Sequence, residues 1–133
     1  MTALLGILVE IPGMKLESLN VTFRGAHAGS HYARAARAKM QRRTAHAFML
    51  AHLRLQKMQL PAVVTITRVA PGTLDDDNLA GACKHTRDGI ADALGLDDRD
   101  ARLSWRYAQQ KSKRGVYAVL VHVSHLASER RTA

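Results

Sequence analysis

One cysteine, three prolines, two phenylalanines and one tryptophan are all that the chain has of those residues, and it has no aspartate outside residues 75–100. The lone thiol, Cys83, cannot form an internal disulfide. No second cysteine is present for a zinc knuckle or a Cys-x-x-Cys motif, so Cys83 reads as a small core residue. No stretch approaches the roughly 20 apolar residues of a membrane span. Residues 1–11 also lack the basic flank of a signal peptide, and a cytoplasmic protein without a membrane partner is expected. Missing too are a phosphate-binding glycine loop, a Ser-His-Asp arrangement and an Arg-rich disordered tail. Acid is scarce as well. Against 20 Lys and Arg there are 11 Asp and Glu, giving a net charge of +9 and a pI near 10.5. That balance favours a polyanionic partner, because phosphate contacts release counterions and supply most nonspecific nucleic-acid affinity. An anionic membrane surface is the other polyanion to weigh.

What acid there is has been gathered. Asp75, Asp76 and Asp77 form one knot and Asp97, Asp98 and Asp100 a second, with Asp88 and Asp92 between them. Only Lys84, Arg87 and Arg99 offset these eight carboxylates. Carboxylates this close repel one another unless a cation intervenes, and hard divalent ions such as Mg²⁺ prefer oxygen donors of this kind. A basic surface around an acidic metal pocket suggests a nuclease.

At 133 residues, 47% hydrophobic and 23% charged, the chain suits a single domain with a true core. A β-branched run over 6–11, ended by Pro12 and Gly13, predicts a first strand. Glycine, histidine and serine over 24–31 mark a loop. Residues 32–60 are rich in good helix formers, with an expected apolar stripe of Met40, Thr44, Phe48, Ala51, Leu55 and Met58 before Pro61. Residues 62–69 alternate as a strand, and Pro71 and Gly72 turn the chain into the first acidic knot. A second helix is expected over 78–94, with a buried seam of Leu79, Cys83, Thr86, Ile90 and Ala93 or Leu94, and Gly95 as its C-cap. Strands over 102–109 and 116–123, joined by the basic loop 111–115, suggest an antiparallel hairpin. The order β-α-β-α-β-β predicts an α+β, two-layer domain in which one mixed sheet is covered by two helices.

Aspartate before a helix is a favoured N-cap and complements the helix dipole, so one of Asp75 to Asp77 is expected on those grounds alone. Three in a row exceed what capping requires. Steps of 100° place Asp77, Lys84 and Asp88 within about 40° of one another, opposite the apolar seam. A solvated face with a Lys84–Asp88 pair would give the same stripe. Of the seven scattered histidines only His27 and His31 show a ligand-like interval, and they lack nearby cysteines or acids. Trp105 and Tyr107 share a strand face with Leu103 and read as core rather than as a base-stacking platform.

The segment LDDDNLAGACKHTRDGIADALGLDDRD resembles the core of RusA-like Holliday junction resolvases. Their pattern runs Asp-x-Asp-Asn, a lysine helix and a paired Asp-Asp. Here Asp75, Asp77 and Asn78, then Lys84 and Asp88, then Asp97 and Asp98 match it in order. Ser18, Leu19 and Asn20 resemble the family's Ser-x-Asn after its first strand. The likeness spans most of the chain, with about 25 residues at motif grade. It departs at one place: five residues separate Asn78 from Lys84, where the family pattern has two, an addition of about one helical turn.

The resemblance implies a Mg²⁺-dependent endodeoxyribonuclease, with Mn²⁺ as a substitute ion. It would act as a homodimer on branched DNA, cutting two strands of a four-way junction symmetrically. It implies Asp75, Asp77 and Asp98 as metal ligands, Asp97 as the fallback for the third, and Lys84 as the residue that stabilises the scissile phosphate. Arg34, Arg37, Arg42 and Arg43 on the first helix, with Lys111, Lys113 and Arg114 in the basic loop, are the candidates for DNA-backbone contacts. The alternative is a non-catalytic, basic nucleic-acid-binding protein of the same fold whose acidic cluster only caps a helix.

Overall fold

The structure, a computed structural model, describes residues 6–18 and 30–127. Asn20, His27 and the side chain of His31 lie outside the described residues, as does most of the loop expected over 24–31. Four strands, β1 (Ile7–Pro12), β2 (Ala62–Ala70), β3 (Leu103–Lys111) and β4 (Ala118–His125), alternate with helices α1 (Ser30–Leu53), α2 (Asp76–Ala82) and α3 (Lys84–Leu94). They form one mixed sheet in the order β1-β4-β2-β3. This is the expected α+β architecture, with the second helix divided in two. The division falls at Cys83, whose φ of −89° and ψ of −3° depart from helical values. Gly81, a poor helix former, stands two residues before it.

Cross-strand register builds the core. Ile7, Val123, Val64 and Trp105 share one row, and Val9, Val121, Ile66 and Tyr107 the next. Ala45 and Met49 of α1, Leu79 of α2, Cys83 at the break and Ile90 of α3 close over these rows. Ile11, Ile66 and Ile90 are fully buried, each stabilising the fold by about 1.5–3 kcal/mol before chain entropy is set against it. The expected seam holds: Leu79, Cys83, Thr86 and Ile90 are buried, with Ala93 and Leu94 packed against the cluster. Gly95 caps α3 in the left-handed conformation at φ 70°, and Trp105 and Tyr107 pack on the core.

Three expectations are corrected. Strands β3 and β4 do not form a hairpin. Each pairs with a different side of β2, β3 in parallel and β4 antiparallel. Seven of the nine residues of β2 are buried, and a strand that apolar on both faces belongs in the sheet centre with two partners. The exposed Ser104, Arg106 and Gln110 of β3 fit an edge. The basic loop 112–117 is therefore a crossover past the end of β2, spanning two strand spacings, roughly 10 Å. The second correction concerns the stripe of α1, which is rotated. Gln41, Ala45 and Met49 are buried while Met40 is 49% and Leu55 89% exposed. Methionine, alanine and leucine surround this helix, and the face that packs is chosen by its neighbours. Finally, α1 stops at Leu53 rather than Leu60. Gln56 Nε2 then donates to the Gly6 carbonyl at 3.2 Å as the chain turns back toward the sheet.

Helices α1 and α3 make the closest helix–helix contact. Gly89 of α3 lies directly against the Arg42 carbonyl of α1, with no room for a Cβ. Above it, Arg42 Nε and Nη2 donate to Asp92 Oδ2 and Oδ1 at 2.6 and 2.9 Å.

Candidate functional site

β1, β2 and β3 run in one direction, so the segment after β1, the loop after β2 and the crossover after β3 leave the same end of the sheet. Two hydrogen bonds tie them there: Gly13 N–H donates to Tyr117 O at 2.9 Å, and Ser112 N–H to Ala70 O at 3.0 Å. Ligands of open sheets commonly sit beyond the carboxyl ends of their strands.

The first acidic knot is held at this end from below. Arg68, inward-facing and only 9% exposed, donates Nε to Leu16 O at 2.8 Å and Nη1 to Gly72 O at 3.0 Å. Gln109 on β3 accepts from Leu74 N–H at 2.8 Å and donates back to Leu74 O at 2.7 Å. These two polar side chains replace apolar ones in the sheet's inward row because they satisfy backbone groups of the loop that carries Asp75. Asp75 is the N-cap of α2: its Oδ1 accepts from Asn78 N–H at 2.9 Å and its Oδ2 from Asn78 Nδ2 at 3.1 Å. Asp76 and Asp77 are exposed in the first turn, where their charge complements the helix dipole. Ser18, 4% exposed, donates from Oγ to Asn78 Oδ1 at 3.3 Å, joining the segment after β1 to the head of α2.

The second knot is anchored elsewhere. The Asp98 carbonyl accepts from Trp105 Nε1 at 2.8 Å and from Arg87 Nη2 at 3.2 Å. Arg87 also donates Nη1 to Tyr107 Oη at 2.7 Å and lies 4.8 Å from the Trp105 ring centroid. Its Nε stands 3.2 Å from Asp98 Oδ2, a charge contact without hydrogen-bond alignment that leaves this buried N–H unpartnered. Asp97 Oδ1 accepts from Arg99 N–H at 2.8 Å. Arg102 donates through side chain and backbone to Asp100, which holds that carboxyl down at about 2. The attachments of the two knots on β3, Gln109 and Trp105, lie four residues apart, roughly 13 Å along a strand. Asp75 and Asp77 thus share one end of the sheet, and Asp98 is tied toward the other. Among the described residues no three His, Cys, Asp or Glu side chains stand together as a group that could hold a metal ion.

The basic candidates divide. Lys84 is exposed and has no ion pair among the described residues, Asp88 included. Arg42 is engaged by Asp92 across the α1–α3 contact. Arg43, Lys111, Lys113 and Arg114 are exposed, the last three on or beside the crossover at the acidic end. Arg34 and Arg37 line a cleft with Lys15, Glu17, Gln41 and His85. Of those six, sequence reading singled out only the two arginines. His85 is one histidine among seven, and Lys15 and Glu17 belong to no motif. Burial pushes the His85 imidazole below its ordinary range, toward the neutral form.

No known family model and no curated protein matches this chain. The site's chemistry therefore rests on its own residues: oxygen donors at the head of α2, and a neighbouring cleft lined by cations and an imidazole.

Proposed function

We propose that this protein is a divalent-metal-dependent, structure-selective endodeoxyribonuclease that resolves four-way DNA junctions by paired phosphodiester hydrolysis as a homodimer. The observation that carries this reading is the hydrogen bond from Ser18 to Asn78. Each residue belongs to a different segment that resembles the resolvase pattern, 60 positions apart, and the two meet at the head of the acidic helix. Around them stand Lys84, the cleft arginines and the basic crossover, surfaces suited to a strand of phosphates.

Asp75 and Asp77 supply hard oxygen donors whose chemistry fits Mg²⁺ or Mn²⁺, ions held by one or two carboxylates together with water and substrate phosphate. When bound there, such an ion lowers the pKa of a coordinated water and offsets charge on the attacked phosphate. Arg68 and Gln109 keep the Asp75 loop in place, and Lys84 presents its ammonium to the phosphate. Asp98, the third ligand by resemblance, belongs to the same proposal through its own test below.

A second reading, a binding protein that does not cut, is favoured by one observation: no three acids converge among the described residues. Incubation of a synthetic four-way junction with the protein and Mg²⁺ decides between the two. Paired nicks at symmetric positions are expected. A junction that shifts in a gel yet stays intact overturns the nuclease reading. Asp75→Asn and Asp77→Asn should abolish cutting while preserving or strengthening binding, and asparagine caps a helix as well as aspartate does. Asp98→Asn cutting at the wild-type rate would remove that residue from the metal site.

A further inference from the structure

The cleft beside Ser18 is bounded by the 15–17 segment, the first half of α1, and the α2–α3 junction. Ala38, Gly81 and Ala82 keep its walls short. Its room of about 40 Å³ equals about three waters, which suits a phosphate group rather than a base. Three cations, Lys15, Arg34 and Arg37, face one carboxylate, Glu17, which itself lies 3.2 Å from Lys15 Nζ. The sign is positive, and His85 and Gln41 add polar atoms to the lining.

Lys15, Glu17, Arg37 and Gln41 also border an adjoining groove of about 310 Å³ that continues along α1 past Pro12, Met14, Met40 and Thr44. This groove has the opposite character. Met40, half exposed although apolar, forms part of its wall with Pro12 and Met14. A cationic notch opening into an apolar trough matches the alternation of a nucleic-acid strand: a phosphate, then a sugar and base.

We propose that the cleft and groove together form a track for one nucleic-acid strand, with a backbone phosphate lodged between Lys15, Arg37 and His85 and the adjoining sugar and base laid against Met14 and Met40. The track rests on the nuclease reading for its substrate and extends it by giving the strand a path. Glu17 in its wall is followed by Ser18, whose Oγ donates to Asn78, so the track lies beside the segment that is tied to the head of α2. Arg34 and Arg37, one helical turn apart, flank the phosphate position from α1.

The test uses the full chain, metal-free in EDTA so that nothing is cut, and a fluorescent four-way junction titrated at several salt concentrations. Loss of a phosphate contact removes about one counterion from the salt dependence, whereas loss of an apolar contact removes none. Arg37→Ala is expected to weaken binding and lower the slope of log K against log salt by about 1. Met40→Ala is expected to weaken binding severalfold at an unchanged slope. Arg54→Ala, near the end of α1 and away from the track, should change neither. Melting curves establish that each variant is folded, and Arg37→Lys, which keeps the charge, should restore most of the slope. A wild-type slope in folded Arg37→Ala, or wild-type affinity in Met40→Ala, overturns the track. Because these measurements need no hydrolysis, they stand or fall separately from the cleavage assay.

Discussion

Replacing Gly89 by alanine sets helix propensity against packing at the contact that spaces α1 from α3. In an isolated helix the change stabilises by about 1 kcal/mol, since glycine is the poorer helix former. Here the new methyl would be driven into the Arg42 carbonyl, with the Ala45 Cβ only 3.0 Å away. A long side chain in the way could swing aside; a backbone oxygen inside a helix cannot. Overpacking of this kind costs about 1–3 kcal/mol, and a backbone obstacle belongs at the upper end. The balance is a loss of about 1–2 kcal/mol, or about 4–8 °C in Tm for a domain of this size. Urea denaturation followed by circular dichroism measures it. Gly72→Ala is the control, because nothing lies within 4 Å of its Cβ position, and it should stay within about 0.5 kcal/mol of wild type. A Gly89→Ala protein as stable as wild type or more so would refute the account of this contact. The same displacement would move Arg34 and Arg37 relative to His85, so DNA affinity should fall with stability.

Burial pushes the Cys83 thiol up to about 12, and the folded protein should resist thiol reagents at pH 8 while reacting promptly in denaturant. Because the folded value lies above the ordinary one near 9.0, this group's contribution is present below that value and is lost as pH rises toward about 12. Rapid labelling of the native state would contradict it. Asp100 behaves in the opposite sense: held down to about 2 by the Arg102 side chain and then by its backbone N–H, it contributes stability above the ordinary carboxylate value near 3.8 that is lost as pH falls toward 2. Asp100→Asn should therefore flatten the acid limb of the stability curve in that window, read as unfolding midpoint against pH, and an unchanged limb would show the pair to be inert.

How much the sequence disclosed depended on whether the governing interaction was local. The seam of Leu79, Cys83, Thr86 and Ile90 follows from helical spacing alone, and it survives the break at Cys83. Asp75 as an N-cap is equally local, its partner Asn78 being three residues on. Sheet order was another matter. Adjacent strands with a glycine-bearing loop favour a hairpin on local grounds, yet β2 is apolar enough to require both β3 and β4, a demand made by residues 41 to 63 positions earlier. The α1 stripe failed for a related reason: apolar residues on several faces leave the choice to partners such as Gly89. In the candidate site, Arg42 looked like any other basic residue of α1, and its commitment to Asp92 comes from a contact 50 positions away. The anchoring of Asp98 by Arg87, Trp105 and Tyr107 likewise needs the folded edge strand, and no spacing rule exposes it.

Strand β4 contributes no acid to the candidate site and none of the bases proposed to meet DNA. Nevertheless it is the spacer on which the site is calibrated. Ser18 follows β1 and Asn78 follows β2, two strands that are not neighbours in the sheet because β4 lies between them. A slip of β4 by two residues against either neighbour would preserve its inward and outward faces, yet it would slide one half of the site past the other by roughly 7 Å. The Ser18–Asn78 contact could not survive that offset.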